Sequence, residues 1–163
     1  MRKKLGRSTD LVKPTEPPAP AGALIYDRQF SSTKEIKSDV LEQLLAVLAQ
    51  ADAFADPADE VNYRLVLDEA LVNAVTHGNR SDATKKARVR AYHNTTASPA
   101  KITFLVEDEG PGFREEDLPD PNAPENLLEE SGRGVILIRS IMSDVGYWRG
   151  GATLMMSKVL RSK

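Results

Sequence analysis

The chain has 163 residues, 40% of them hydrophobic, a formal net charge of -2, no cysteine and two histidines. That length suits one domain able to bury most of its unfolded surface, and the missing cysteines exclude disulfide scaffolds, thiolate metal sites and cysteine nucleophiles. His77 and His93 alone do not supply a zinc centre, no apolar run reaches membrane-span length, and no signal-peptide core opens the chain. A soluble, cytoplasmic protein without membrane contact is expected.

Residues 1–21 are expected to be a disordered tail. Pro14, Pro17, Pro18 and Pro20 favour extended chain, and residues 1–20 carry five basic and two acidic side chains. The remaining residues, 22–163, are expected to form one domain. Residues 23–30 predict a first strand. Ser32-Thr-Lys-Glu35 has capping-box spacing, and Ile36, Val40, Leu44, Val47 and Leu48 follow at helical intervals to about Gln50. Asp56-Pro57 then predicts an N-cap with proline at the first helical position, and the second helix is expected to run to about His77 and stop at Gly78. Residues 86–96 and 101–107 predict strands. In the first, Val89, Ala91 and His93 alternate with polar neighbours; in the second, both faces are largely apolar, as in a central strand.

Residues 114–131 predict a loop. Together with its flanks it is strongly acidic: residues 107–130 hold ten acids and one base, Arg114. Such a segment repels phosphates, so no direct nucleic-acid partner is expected. A third helix is expected from Gly134, with Val135, Ile138, Ile141 and Met142 on one face. Gly150-Gly151 predicts a hairpin between strands at 145–149 and 152–160. Clustered strands with few intervening helices predict a two-layer α/β sandwich: a mixed, mostly antiparallel sheet covered by helices on one face.

Three segments carry the chemistry. Glu69, Asn73 and His77 are each four apart and form one stripe of the second helix. Leu67, Leu71, Ala74 and Val75 form an apolar stripe that Val61, Leu65 and Val72 widen. A carboxylate on such a helix needs a cation, a donor or water. Asn73 offers one neutral oxygen to a hard cation such as magnesium, and a carboxylate one turn away can take a proton. An exposed polar stripe is the competing reading. Asp108-Glu-Gly110-Pro-Gly112 places a carboxylate and close-approach glycines at a strand end, where it can accept from an exocyclic amine; an ordinary turn also fits. Gly132-Arg133-Gly134 is read as a turn into a helix N-terminus that presents amides and a cation to phosphate; a flexible linker is its alternative.

The three segments in this order resemble the GHKL ATPases, which include gyrase B, histidine kinases and MutL. The run E-x-x-x-N-A-x-x-H-G-N at 69–79 looks like their N-box. Asp108-Glu-Gly110-Pro-Gly112-Phe113 looks like the first glycine box and Ser131-Gly132-Arg133-Gly134-Val135 like the second, with residues 114–131 as the ATP lid. His77-Gly78-Asn79 and the run to Ser143-Asp-Val145 are most similar to the anti-sigma factor serine/threonine-protein kinases. The resemblance covers about residues 23–160. It implies the Bergerat fold with ATP and Mg2+, Glu69 as general base, Asn73 as metal ligand and Asp108 as adenine contact. His77, Gly78, Gly110, Gly112, Ser131, Gly132, Arg133, Gly134 and Val135 would line the nucleotide. The family often shows Gly-Thr at the final hairpin; here the run is Gly150-Gly151-Ala152-Thr153, and the resemblance implies Thr153 as a nucleotide contact. The implied partners are a sigma factor, a STAS-domain anti-sigma factor antagonist that is phosphorylated, and a second copy in a homodimer. A nucleotide-gated binding module without phosphotransfer is the alternative.

Overall fold

The computed structural model describes residues 15–113 and 130–161. Strand β1 (Ala23–Ser31) leads into helices α1 (Lys34–Gln50) and α2 (Asp59–Val72), the latter continued by a π-helical turn at Asn73–Gly78. Strands β2 (Lys86–Asn94) and β3 (Lys101–Glu107) follow, then α3 (Glu130–Ile141), β4 (Asp144–Trp148), a 3-10 turn (Arg149–Gly151) and β5 (Thr153–Val159). The five strands form one sheet in the order β1-β2-β3-β5-β4. A mixed, mostly antiparallel sheet was the expectation; the described pairings are antiparallel throughout. The expected lid at 114–131 lies outside the described residues except at its last two positions, and residues 1–14 lie outside them too.

Burial follows the strand alternation. Ala87, Val89 and Ala91 of β2 face the helices, as do Ile102, Phe104 and Val106 of β3 and Leu154 and Met156 of β5. Against them α1 buries Val40, Leu44 and Leu48, and α2 buries Tyr63, Val66, Leu67 and Leu71. Tyr63 sits between Phe54 and Phe104, with ring centroids 5.7 Å from each. The stripe on α2 is narrower than predicted: Val61 is 61% exposed and Leu65 44%.

The helix starts depart from expectation because tertiary partners outcompete local signals. The α1 cap is Thr33, whose hydroxyl accepts from the Ile36 N–H at 3.4 Å. Ser32 is instead engaged by the Asn79 side chain. Asp56-Pro57 does not open α2. The buried Asp59 carboxylate accepts from the Ala55 and Asp56 N–H groups, each at 2.9 Å, and the helix starts there. Helix α3 begins at Glu130, ahead of Gly134, and buries Val135 and Ile138, with Met142 buried just past its end.

Candidate active site

A cavity of about 330 Å³ opens between the end of α2, the loop after β3, α3 and the β4–β5 hairpin. Asn73, His77 and Gly78 line it from the helix end, Asp108 and Gly112 from the loop, and Val135 from α3. Six of the residues singled out in the sequence therefore share one cavity. Its apolar surface comes from Val106, Phe113, Tyr147 and Leu154. The Phe113 and Tyr147 rings meet edge to face at 5.0 Å.

The helix end has a specific construction. Regular α-helix stops at Val72, and the Asn79 N–H reaches back five residues to the Ala74 carbonyl at 2.9 Å. Wide turns of this kind recur at functional sites because they re-aim the residues that follow. Gly78 does not end the helix by adopting positive φ; it serves a close approach. A Cβ there would lie 2.6 Å from Asp108 Oδ1. Gly110 is similarly constrained, since its Cβ would lie 2.5 Å from the Gly78 carbonyl carbon. Gly112 has φ +74 and its Cβ would stand 2.6 Å from the carbonyl carbon of Gly150, whose oxygen accepts from Phe113 N–H.

Asp108 is held at both ends. Its N–H donates to the Ala152 carbonyl at 3.0 Å, and Oδ1 accepts from the Gly110 N–H at 2.8 Å. Burial raises its carboxyl above the ordinary aspartate value, with the Gly110 bond and the nearby Arg149 and Lys85 charges pulling the other way. The carboxylate is thus fixed at the cavity wall and suited to a neutral hydrogen-bond donor such as an amino group.

Glu69 does not line the cavity itself. Its carboxylate lies one turn back from Asn73, against Gly134 of α3, where a Cβ would come within 3.3 Å of Glu69 Cδ. Among the described residues neither the Glu69 carboxylate nor the half-buried Asn73 side chain makes a hydrogen bond. No group of three or more His, Asp or Glu side chains able to hold a metal occurs among the described residues. One amide oxygen near one carboxylate fits magnesium, which keeps several waters and takes phosphate oxygens, better than a caged metal.

Three expectations are corrected. Gly132, Arg133 and Gly134 lie within α3 and not in a turn preceding it; Arg133 is exposed and Gly134 buried. His77 is exposed and lines the cavity with Asn73, whereas Glu69, on the same predicted stripe, does not line it. Thr153 faces away from the cavity. Val106 pairs with Leu154 and both line the cavity, so Thr153, the next residue in register with Glu107, points to the other face.

Asn79, the last residue of the 69–79 run, has a structural role. Fully buried, its Nδ2 donates to Ser32 Oγ and to the Lys86 carbonyl, each at 2.8 Å, while Oδ1 accepts from the Glu109 N–H at 2.8 Å. One amide thus ties β1, β2 and the loop carrying Asp108 to the end of α2. The signal available in sequence was a carboxamide directly after the helix-terminal glycine.

The fold and the cavity define a nucleotide-binding domain, and comparison with known proteins agrees. The histidine kinase-like ATPase domain model matches residues 30–158, and the chain belongs to that family. It is 28% identical over 121 residues to the anti-sigma F factor of Bacillus velezensis, covering 72% of this chain and 77% of that protein. It is 27% identical over 144 residues to the serine-protein kinase RsbW of Staphylococcus aureus, covering 84% and 87%. The resemblance to GHKL ATPases of the anti-sigma kinase branch is thereby upheld.

Proposed function

We propose that the chain is an anti-sigma factor serine/threonine-protein kinase that binds Mg-ATP, sequesters a sigma factor and phosphorylates a STAS-domain antagonist, working as a cytoplasmic homodimer. The observation that carries the ATP reading is the meeting, in one cavity, of the fixed Asp108 carboxylate, the Asn73 amide and Val135 of α3, the neighbour of the Gly134 that abuts Glu69. Asp108 accepts the exocyclic amine of adenine. Gly78, Gly110 and Gly112 let the helix end, the Asp108 loop and the hairpin close on one another beside the base, since each lacks a Cβ that would strike the neighbouring segment. The Asn73 oxygen would hold magnesium, which supplies charge neutralisation for the phosphates when bound. The first turns of α3, with Ser131, Gly132, Arg133 and Gly134, lie on the phosphate side. Glu69, which lies against Gly134 of that helix, accepts the proton of the attacking hydroxyl.

The names of the relatives support the kinase and anti-sigma parts of this reading. The test is transfer of labelled phosphate from ATP and magnesium to a STAS-domain protein, with Glu69→Ala in parallel. Label on a serine or threonine of the partner, lost in Glu69→Ala while ATP binding persists, is the expected result. ATP binding with no transfer by the parent chain to any offered STAS protein would replace the kinase reading with nucleotide-gated sequestration.

A further inference from the structure

A two-layer fold leaves one face of its sheet to water. Here that outer face carries the residues that alternate with the core set: Thr103 and Leu105 on β3, Thr153 and Ser157 on β5. They are not wet. Leu105 is 1% exposed, Thr153 0%, Ser157 3% and Thr103 6%. The helices lie on the opposite side and cannot cover them.

The segment preceding β1 is placed to do so. Its far end is bound where the Arg149 N–H donates to the Thr15 carbonyl at 3.1 Å, at the end of β4. Its near end is bound where Gly22, at φ +102, lies so close to Asn94 that a Cβ would stand 2.6 Å from the Asn94 Cα. These anchors are at opposite corners of the sheet. Seven residue steps reach at most about 24 Å when extended. The chain therefore takes the direct path across the face, with no slack to pass round an edge. Pro17, Pro18 and Pro20 hold it extended without internal hydrogen bonds, and such segments favour aromatic-lined apolar surfaces. At the Thr15 end the Trp148 side chain folds over Gly146 on this same face.

We propose that residues 15–22 are an intrachain strap that seals the outer face of the sheet, where a free tail was expected from sequence. The strap supplies the cover for Leu105 and its neighbours, and so occupies in cis a surface that would otherwise be open to a second copy. It also braces the hairpin at Arg149, whose next residues, Gly150 and Gly151, meet Phe113 at the cavity mouth. The proposal is independent of the kinase reading.

The chain has no cysteine, so Leu105→Cys places a lone thiol on the outer face and Ile102→Cys a lone thiol on the helix face. Each is labelled with an uncharged thiol reagent in the full chain and in a form lacking residues 1–21. Strap removal is expected to speed labelling at position 105 at least tenfold and to leave position 102 within about threefold. A full-length variant carrying Pro17→Gly, Pro18→Gly and Pro20→Gly tests the same point without truncation, and labelling at 105 rises there too. An unchanged rate at 105 in both backgrounds overturns the proposal. An equal rise at 102 and 105 overturns it as well, because the segment would then support the whole core and not one face.

Discussion

Replacing Asn79 by alanine removes a fully buried amide that makes three hydrogen bonds to elements far apart in sequence. Each bond contributes about 1 kcal/mol net, and the Glu109 N–H, the Lys86 carbonyl and the Ser32 hydroxyl are left without that partner in a dry environment. The expected loss is about 3–5 kcal/mol, a large share of an ordinary domain's stability. With a urea slope of about 2 kcal/mol/M, the midpoint falls by about 2 M. The functional effect is separate. Freeing Glu109 N–H releases the loop that aims Asp108, so the affinity for adenine nucleotide drops at least tenfold at a temperature where the variant remains folded. Urea titration followed by fluorescence of Trp148, paired with calorimetric nucleotide binding, reads both. Ser32→Ala removes only one of the bonds and loses about 1 kcal/mol with binding intact. A midpoint shift worth under 1 kcal/mol in Asn79→Ala, or unchanged nucleotide affinity in the folded variant, would refute the reasoning.

Gly134→Ala gains helix propensity of about 1 kcal/mol but brings a methyl within 3.3 Å of Glu69 Cδ; thermal stability holds, ATP binding stays within about threefold and phosphotransfer falls at least tenfold in a filter assay. Gly112→Ala combines φ +74 with a clash against Gly150 and lowers stability by more than about 2 kcal/mol, whereas Gly150→Ala, at φ +63 with nothing within 4 Å, loses about 1 kcal/mol, as thermal melts will show. Asp108→Asn concerns a carboxyl whose folded-state value is raised above 3.8 by burial. The folded chain holds that proton more tightly than the unfolded one, so the stability linked to it is present below 3.8 and lost as pH rises through the raised value. The Asn variant escapes this loss. It is more stable than the parent at neutral pH, the gap closes in acid, and adenine-nucleotide affinity falls because an amide N–H2 now meets the amine.

What the sequence revealed depended on the range of the forces involved. The faces of α1 and β2 were legible because one side of each element packs on the core and the period is local. The first two helix starts were misread because Asp59 caps two amides that precede it, and because Ser32 answers to Asn79, 47 residues away. Thr153 was misplaced for a different reason. Strand period is two, so a one-residue error in where the hairpin ends moves a side chain to the opposite face. The bond from Asp108 N–H to the Ala152 carbonyl fixes that register, and no local pattern encodes it.

The same logic explains why the site is built at a break in a helix. In an uninterrupted α-helix, His77 would continue the Glu69–Asn73 line, and Gly78 would turn elsewhere. The wide turn inserts part of a residue's rotation after Asn73, which leaves Glu69 and Asn73 one turn apart on one line and swings Gly78 against the Asp108 carboxylate. Asn79 then locks the turn from behind, through bonds that only this geometry allows. A substitution that restored regular helix through residue 78 would keep every motif letter and the Glu69–Asn73 spacing, and still carry Gly78 and Asn79 away from the loop that holds Asp108. The arrangement, and not the presence of the residues, is therefore what makes the cavity a nucleotide site.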